Sequence, residues 1–210
     1  MKPEEHKIKL YESLFILYKC KNSTDLIWEK INQDKSILKG ASFSDSPLLY
    51  HIILEVVSFQ EEYRNFNSKY LIEFSERVNQ VRAINKSIFK KINKWDLLSF
   101  RNNIVAHPWR KDGEFIIPDS IEYNVPRNMF EFQLMINYLS YAWKMIELEF
   151  SKEFESAIHY MLTITIKRKP KPDYKNINKE QLKLAEDVNN VCKKFGKNYN
   201  LKVYLYDFDK

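Results

Sequence analysis

Over most of the first 165 residues, apolar positions recur at three- and four-residue steps, the period of helices with one buried face. Leu10, Leu14, Ile16 and Leu17 predict a helix over residues 4–20, and a second runs from Thr24 to Leu38. Gly40 stands where a left-handed C-terminal residue is wanted. Ser46-Pro47 is a start signal, serine as N-cap and proline at the first helical position, with Leu49, Ile52 or Ile53, Val56 and Phe59 behind it on a buried face. A helix over 69–83 uses Leu71, Phe74, Val78 and Val81, and another is expected from Ser87 to Ala106. Pro108, Asp112-Gly113, Pro118 and Pro126 then make residues 108–126 a long loop, with a short extended piece at Glu114–Ile117. The helix expected from Arg127 to Phe154 is apolar round most of its circumference, through Phe132, Met135, Ile136, Leu139, Trp143, Ile146 and Phe150. Such a helix is central in a bundle or shared with a second subunit.

Beyond residue 160 the texture changes. Met161–Ile166 is β-branched and reads as a strand, and Lys167–Lys175 is a basic linker spaced by prolines. Asn178 can cap a helix, with Gln181 at the capping-box position and Gly196 as its stop. Leu201–Tyr206 alternates like a half-buried strand. The expected fold is therefore mostly α: a helical bundle over 1–160 with a small C-terminal β-α-β appendage over 161–210.

Composition narrows the function classes. Three glycines in 210 residues argue against Gly-rich phosphate loops, dinucleotide-binding turns and hairpin-rich sandwiches. Two cysteines, Cys20 and Cys192, without a C-x-x-C pair, make a disulfide scaffold or zinc finger improbable and fit a reducing compartment. The N-terminus has no signal-peptide pattern, and the most apolar stretch, Leu48–Val57, is too short to cross a bilayer. A soluble, cytoplasmic protein is expected. The net charge of +6 is compatible with a polyanionic partner without establishing one.

One segment carries candidate chemistry, Arg101-Asn102-Asn103-Ile104-Val105-Ala106-His107-Pro108. Arg101 and Asn102 fall inside the apolar arc of the 87–106 helix, and a buried arginine needs a partner. Pro108 disfavours the α region at His107, so the helix ends there and the imidazole is free to swing toward the arginine. The carbonyl end of the helix favours a protonated ring, which makes His107 a candidate proton donor or acceptor. Arg110 and Lys111 follow and could hold flanking phosphates, while Trp109 could stack on a base. No His/Asp/Glu cluster suggests a metal, and no cofactor is expected.

Arg101, the polar Asn102 and His107 resemble the R-[polar]-x(3–5)-H signature of the HEPN superfamily. These are compact all-α bundles, many of them metal-independent endoribonucleases of bacterial toxin–antitoxin, abortive-infection and CRISPR systems. The resemblance covers the motif and its helical context over residues 1–160, and the C-terminal segment matches no part of the family's minimal core. It implies a homodimer in which two motifs share one composite cleft, RNA as substrate, and an antitoxin protein as a further partner. RNA can be cleaved by its own 2′-hydroxyl attacking the adjacent phosphate. His107 would move protons, a role worth about 10²–10⁴-fold. Arg101 would grip the non-bridging oxygens bidentately, and Asn102 would orient the arginine or the phosphate.

Blander roles fit the same residues. Arg101 can pair with a carboxylate in the bundle, His107 can cap a helix, Trp109 can anchor a loop, and Arg110 and Lys111 can be solvated. A non-catalytic HEPN-like module that binds RNA or protein would also keep the motif. Of the other histidines, His6 is expected to be exposed, His51 to be a satisfied core residue, and His159 to lack a partner.

Overall fold

The computed structural model describes residues 3–34, 46–105, 110–111, 114–115, 123–168 and 174–197. The chain divides into two compact units, Met1–Ile164 and Thr165–Lys210.

The first unit is a helical bundle. Helix α1, Pro3–Gln33, is one continuous element, not the two expected. Thr24, the residue read as starting a second helix, is buried and donates its hydroxyl to the Cys20 carbonyl at 2.8 Å. That bond satisfies inside a helix a group that would otherwise favour a cap. Gly40 lies outside the described residues. Helix α2, Pro47–Asn65, begins at the Ser46-Pro47 signal and buries Leu49, Ile52, Ile53, Val56, Val57, Phe59 and Tyr63. Its last carbonyls are held by Arg82, which donates to Tyr63 at 2.7 Å and Phe66 at 2.8 Å with its guanidinium over the Tyr63 ring. A cation there complements the negative end of the helix dipole.

A 3₁₀ turn, Ile72–Phe74, leads into α3, Ser75–Ile92. The helix expected from Ser87 to Ala106 is broken. After α3 the chain turns through residues 93–96 and resumes as the short α4, Leu97–Phe100. The break is stabilised from a distant segment: Asp96 N–H donates to the Asn124 carbonyl at 2.7 Å, Asn124 N–H to the Asp96 carboxylate at 3.1 Å, and the Asn124 amide to the Lys94 carbonyl at 2.6 Å. These bonds replace the intrahelical ones the turn gives up. Two short antiparallel strands, β1 (Arg110–Lys111) and β2 (Glu114–Phe115), pair in the expected loop.

Helix α5, Met129–Glu149, starts with the Asn128 side chain accepting from Glu131 N–H at 3.0 Å, and it buries Phe132, Met135, Ile136, Leu139, Ala142, Trp143 and Ile146. It packs against both α1 and α3, while α1 also packs on α2. Tyr18 of α1 meets Trp143 and Phe154, and the buried Asn85 of α3 donates to the Ala142 carbonyl at 3.1 Å. The single helix expected to Phe154 instead breaks at Phe150, where α6, Ser151–Arg168, begins. Arg77 clamps this junction. It bonds Glu149 at 2.7 Å, Glu153 at 2.5 Å and the Glu149 carbonyl, and lies 4.3 Å over the Phe150 ring.

The expected β-α-β appendage is not supported. Met161–Ile166, read as a strand, is the continuation of α6. The β-branched penalty in a helix is only about 0.7 kcal/mol per residue, and the same helix is anchored by the buried Ala157 and by Phe154. The Thr163 hydroxyl is satisfied within the helix, donating to the His159 carbonyl at 2.9 Å. In the second unit, α7 spans Tyr174–Lys194, four residues ahead of the expected Asn178 cap. It ends as expected at Gly196, at φ 66°, with Lys197 N–H returning to the Cys192 carbonyl at 2.9 Å. Leu201–Tyr206, the other expected strand, lies outside the described residues.

Burial raises the Glu153 carboxyl, but the hydrogen bonds and charge of Arg77 outweigh it and hold the group below its ordinary range. A depressed carboxyl stabilises the fold fully above its unfolded value, about pH 4.3, and loses that contribution as pH falls through the folded value. Arg77→Ala should therefore cost about 1 kcal/mol at neutral pH, the scale of a pair a third exposed. In urea unfolding, its deficit relative to wild type should shrink below about pH 4; an unchanged deficit in acid would rule out the ion pairs as its source.

Candidate functional site

Directly after α4, Arg101–Val105 winds as a single π-helical turn. Such turns add a residue to the helical repeat and are frequent at functional sites. Leu97 and Phe100 bury the α4 side that precedes the turn, and Phe100 meets Tyr50 of α2 at 5.8 Å and Tyr123 at 5.9 Å between ring centres. The π turn is thereby fixed between α2 and the segment at 123–125.

Arg101 stands at the start of the turn with its side chain 22% exposed. Its terminal nitrogens fork onto Glu61 of α2, at 2.8 and 2.9 Å, and its Nε donates to the Asn102 Oδ1 at 3.1 Å. This is the partner that an arginine in an apolar arc requires. Glu61 is 43% exposed, however, and an ion pair that wet contributes at most about 1 kcal/mol. The fork orients the guanidinium without locking it. Asn102 is exposed; Asn103 is half-buried and donates its amide to the Tyr123 hydroxyl at 2.7 Å. Asn124, next in the chain, carries the bonds to Lys94 and Asp96. Residues 101–103 and 123–124 are thus tied together at one place.

Of the residues singled out in the sequence, Arg101 and Asn102 are in direct contact. Arg110 and Lys111 lie on β1, whose backbone runs beside the π turn. His107 and Trp109 lie outside the described residues. Glu61 and Tyr123 carry no local signal in the sequence, and Asn103 stands in the candidate segment without an expected role. An arginine in an apolar arc calls for a carboxylate, but the chain has 28 acidic residues and local periodicity does not say which one it meets.

Of the other histidines, His6 and His51 depart from expectation. His6 is buried, with its Nδ1 lacking a hydrogen-bond partner among the described residues. His51 is half-exposed and sits 3.2 Å from Glu55, one helical turn on. His159 is exposed. Among the described residues no group of three His, Cys, Asp or Glu side chains could hold a metal ion, and no helix is long and apolar enough to cross a membrane. An open groove of about 480 Å³ lies between α1 and α5, lined by Asp25, Trp28, Glu29, Gln133 and Asn137 among others; none of the Arg101 cluster borders it. On α5, Phe130, Leu134, Tyr141 and Leu148 are exposed, the last three spaced seven residues apart.

Comparison with protein-family models, with curated proteins and with solved structures gives no match.

The Asn103–Tyr123 bond gives one prediction. Tyr123→Phe should cost about 0.5–1.5 kcal/mol in urea unfolding, the net worth of a hydrogen bond, and speed amide exchange at 101–105. The thiols give another. Burial, then the charge and hydrogen bonding of Glu55 and the charge of Glu62, push Cys20 up to about 12, whereas Cys192 is half-buried. At pH 8 a disulfide-exchange reagent should titrate one thiol in the native protein and two in denaturant; two fast native thiols would contradict the burial of Cys20.

Proposed function

We propose that the chain is a metal-independent, HEPN-type endoribonuclease, acting as a homodimer in bacterial toxin–antitoxin or phage-defence biology. One observation carries this reading: a half-buried guanidinium, Arg101, stands on a π-helical turn with its Nε bound by Asn102, at the motif position assigned to phosphate. The backbone of Arg110–Lys111 passes beside that turn.

The chemistry follows from the groups involved. The RNA 2′-oxygen attacks the adjacent phosphorus and the P–O5′ bond breaks, leaving a 2′,3′-cyclic phosphate and a 5′-hydroxyl. One proton leaves the 2′-hydroxyl and another reaches the departing O5′; His107, with its counterpart in a second copy, would divide these transfers. Arg101 would hold the non-bridging oxygens as negative charge builds on them. The exposed row Phe130, Leu134, Tyr141 and Leu148 supports a second copy, because its heptad spacing suits packing against another helix. The toxin or defence role and an antitoxin partner rest on the motif resemblance. A binding module without catalysis is the second reading, favoured by the carboxylate already seated on Arg101.

Incubation of a mixed RNA pool with the protein in EDTA tests the proposal. Wild type should release fragments with 2′,3′-cyclic phosphate ends. Arg101→Ala should slow cleavage roughly 10²–10³-fold and His107→Ala at least about 10²-fold, both variants remaining folded by circular dichroism. Cleavage that survives both substitutions would place the chemistry elsewhere. No cleavage by a folded wild-type protein that still binds RNA would support the binding module.

A further inference from the structure

A guanidinium offers five N–H donors in a rigid plane, and a phosphate takes two of them along one edge, either the two terminal nitrogens or Nε with its neighbour. On Arg101 both edges are in use. Glu61 spans the terminal nitrogens at 2.8 and 2.9 Å, and Asn102 accepts from Nε at 3.1 Å. The two remaining N–H groups point away from each other, so no bidentate grip is open to an anion. A phosphate reaches Arg101 only by displacing one of these acceptors.

Glu61 is the one suited to leave. Its carboxylate has the planar two-oxygen acceptor geometry that a phosphate also presents, so an anion can replace it without leaving Arg101 uncompensated. It is 43% exposed and arrives from a different helix, α2, so its release disturbs neither the π turn nor Asn102. Arg77 shows the contrast. That guanidinium also meets carboxylates, but it bonds a main-chain carbonyl and lies on the Phe150 ring, an arrangement that holds a junction closed. The described partners of Arg101 are two side chains that can rotate away.

We propose that Glu61 is a built-in competitor for the phosphate site: its carboxylate occupies Arg101 in the resting protein and is displaced by the phosphate of bound RNA. The inference rests on the reading of Arg101 as a phosphate-binding residue and adds its regulation. The carboxylate is tethered beside the guanidinium, so its effective concentration there is high and a lone phosphate competes poorly. An RNA strand held by further cations along its backbone displaces it more readily.

Binding can be measured apart from cleavage, by fluorescence anisotropy with a 2′-O-methyl RNA oligonucleotide, which has no attacking hydroxyl. Wild type, Glu61→Gln, Arg101→Ala and the double variant form a cycle, each checked for folding by thermal melting. Glu61→Gln should tighten binding by about three- to fivefold, the worth of an exposed ion pair. Arg101→Ala should weaken binding, and Glu61→Gln should bring no gain in that background. An equal gain in both backgrounds would mean that the lost negative charge acts at large, and the competitor proposal would fail. Unchanged or weaker binding by Glu61→Gln, with Arg101→Ala still impaired, would make Glu61 an orienting residue; the competitor would fail while the phosphate site stood. If Arg101→Ala bound as well as wild type, the phosphate site and its competitor would fall together.

Discussion

Helix α5 has one broad apolar face to take out of water, and the arrangement of the first unit follows from that. Phe132, Met135, Ile136, Leu139, Ala142, Trp143 and Ile146 recur at three- and four-residue steps and fill a single stripe about 120° wide, not most of the circumference as expected, while Phe130, Leu134, Tyr141 and Leu148 line the opposite, exposed side. Helix α1 covers part of them and α3 another part, while α2 reaches the core by lying on α1. At about 25 cal/mol per Å² of apolar surface, burying these side chains outweighs any single polar contact in the bundle. The polar contacts do something different. They fix where helices stop: Arg77 at the α5–α6 junction, Arg82 at the end of α2, and Asn124 at the break before α4.

Those stops mark the limit of what the sequence discloses about the fold. The buried faces of α2 and α5 were legible residue by residue, since their periodicity is local and apolar burial is non-directional. The breaks at 93–96 and at Phe150 were not, because each is stabilised by side chains 28 to 76 positions away. Gly196 was legible as a helix stop because the left-handed conformation it adopts is a local property. The Met161–Ile166 strand was misread for the opposite reason: a weak local preference was set against a helix already nucleated and packed at Phe154 and Ala157.

The candidate site divides the same way. Arg101 and Asn102 are neighbours in sequence and in space, so their pairing could be anticipated from the motif. Glu61, 40 positions away, and Tyr123, 20 positions from Asn103, enter only through the packing of α2 and the return of the chain at 123–125. The sequence indicated that Arg101 needed compensation, and three-dimensional packing supplied the compensating group. A half-exposed carboxylate, in place of a buried one, turns a structural necessity into a reversible contact.

The π turn carries a consequence for how this chain tolerates change in length. A π turn holds one residue more per hydrogen-bonded loop than an α turn. Deleting any one residue of 101–105 would let the backbone relax into regular α geometry, a local gain in hydrogen bonding. The five residues of the π turn complete roughly the rotation that four complete in an α-helix, so the two ends of the turn would keep their relative direction. What would change is the register inside it: with Asn102 removed, Asn103 would stand one place closer to Arg101 and would leave the Tyr123 hydroxyl it now meets. A shortened variant can therefore gain regular helix geometry and still lose the contacts that tie this segment to its neighbours.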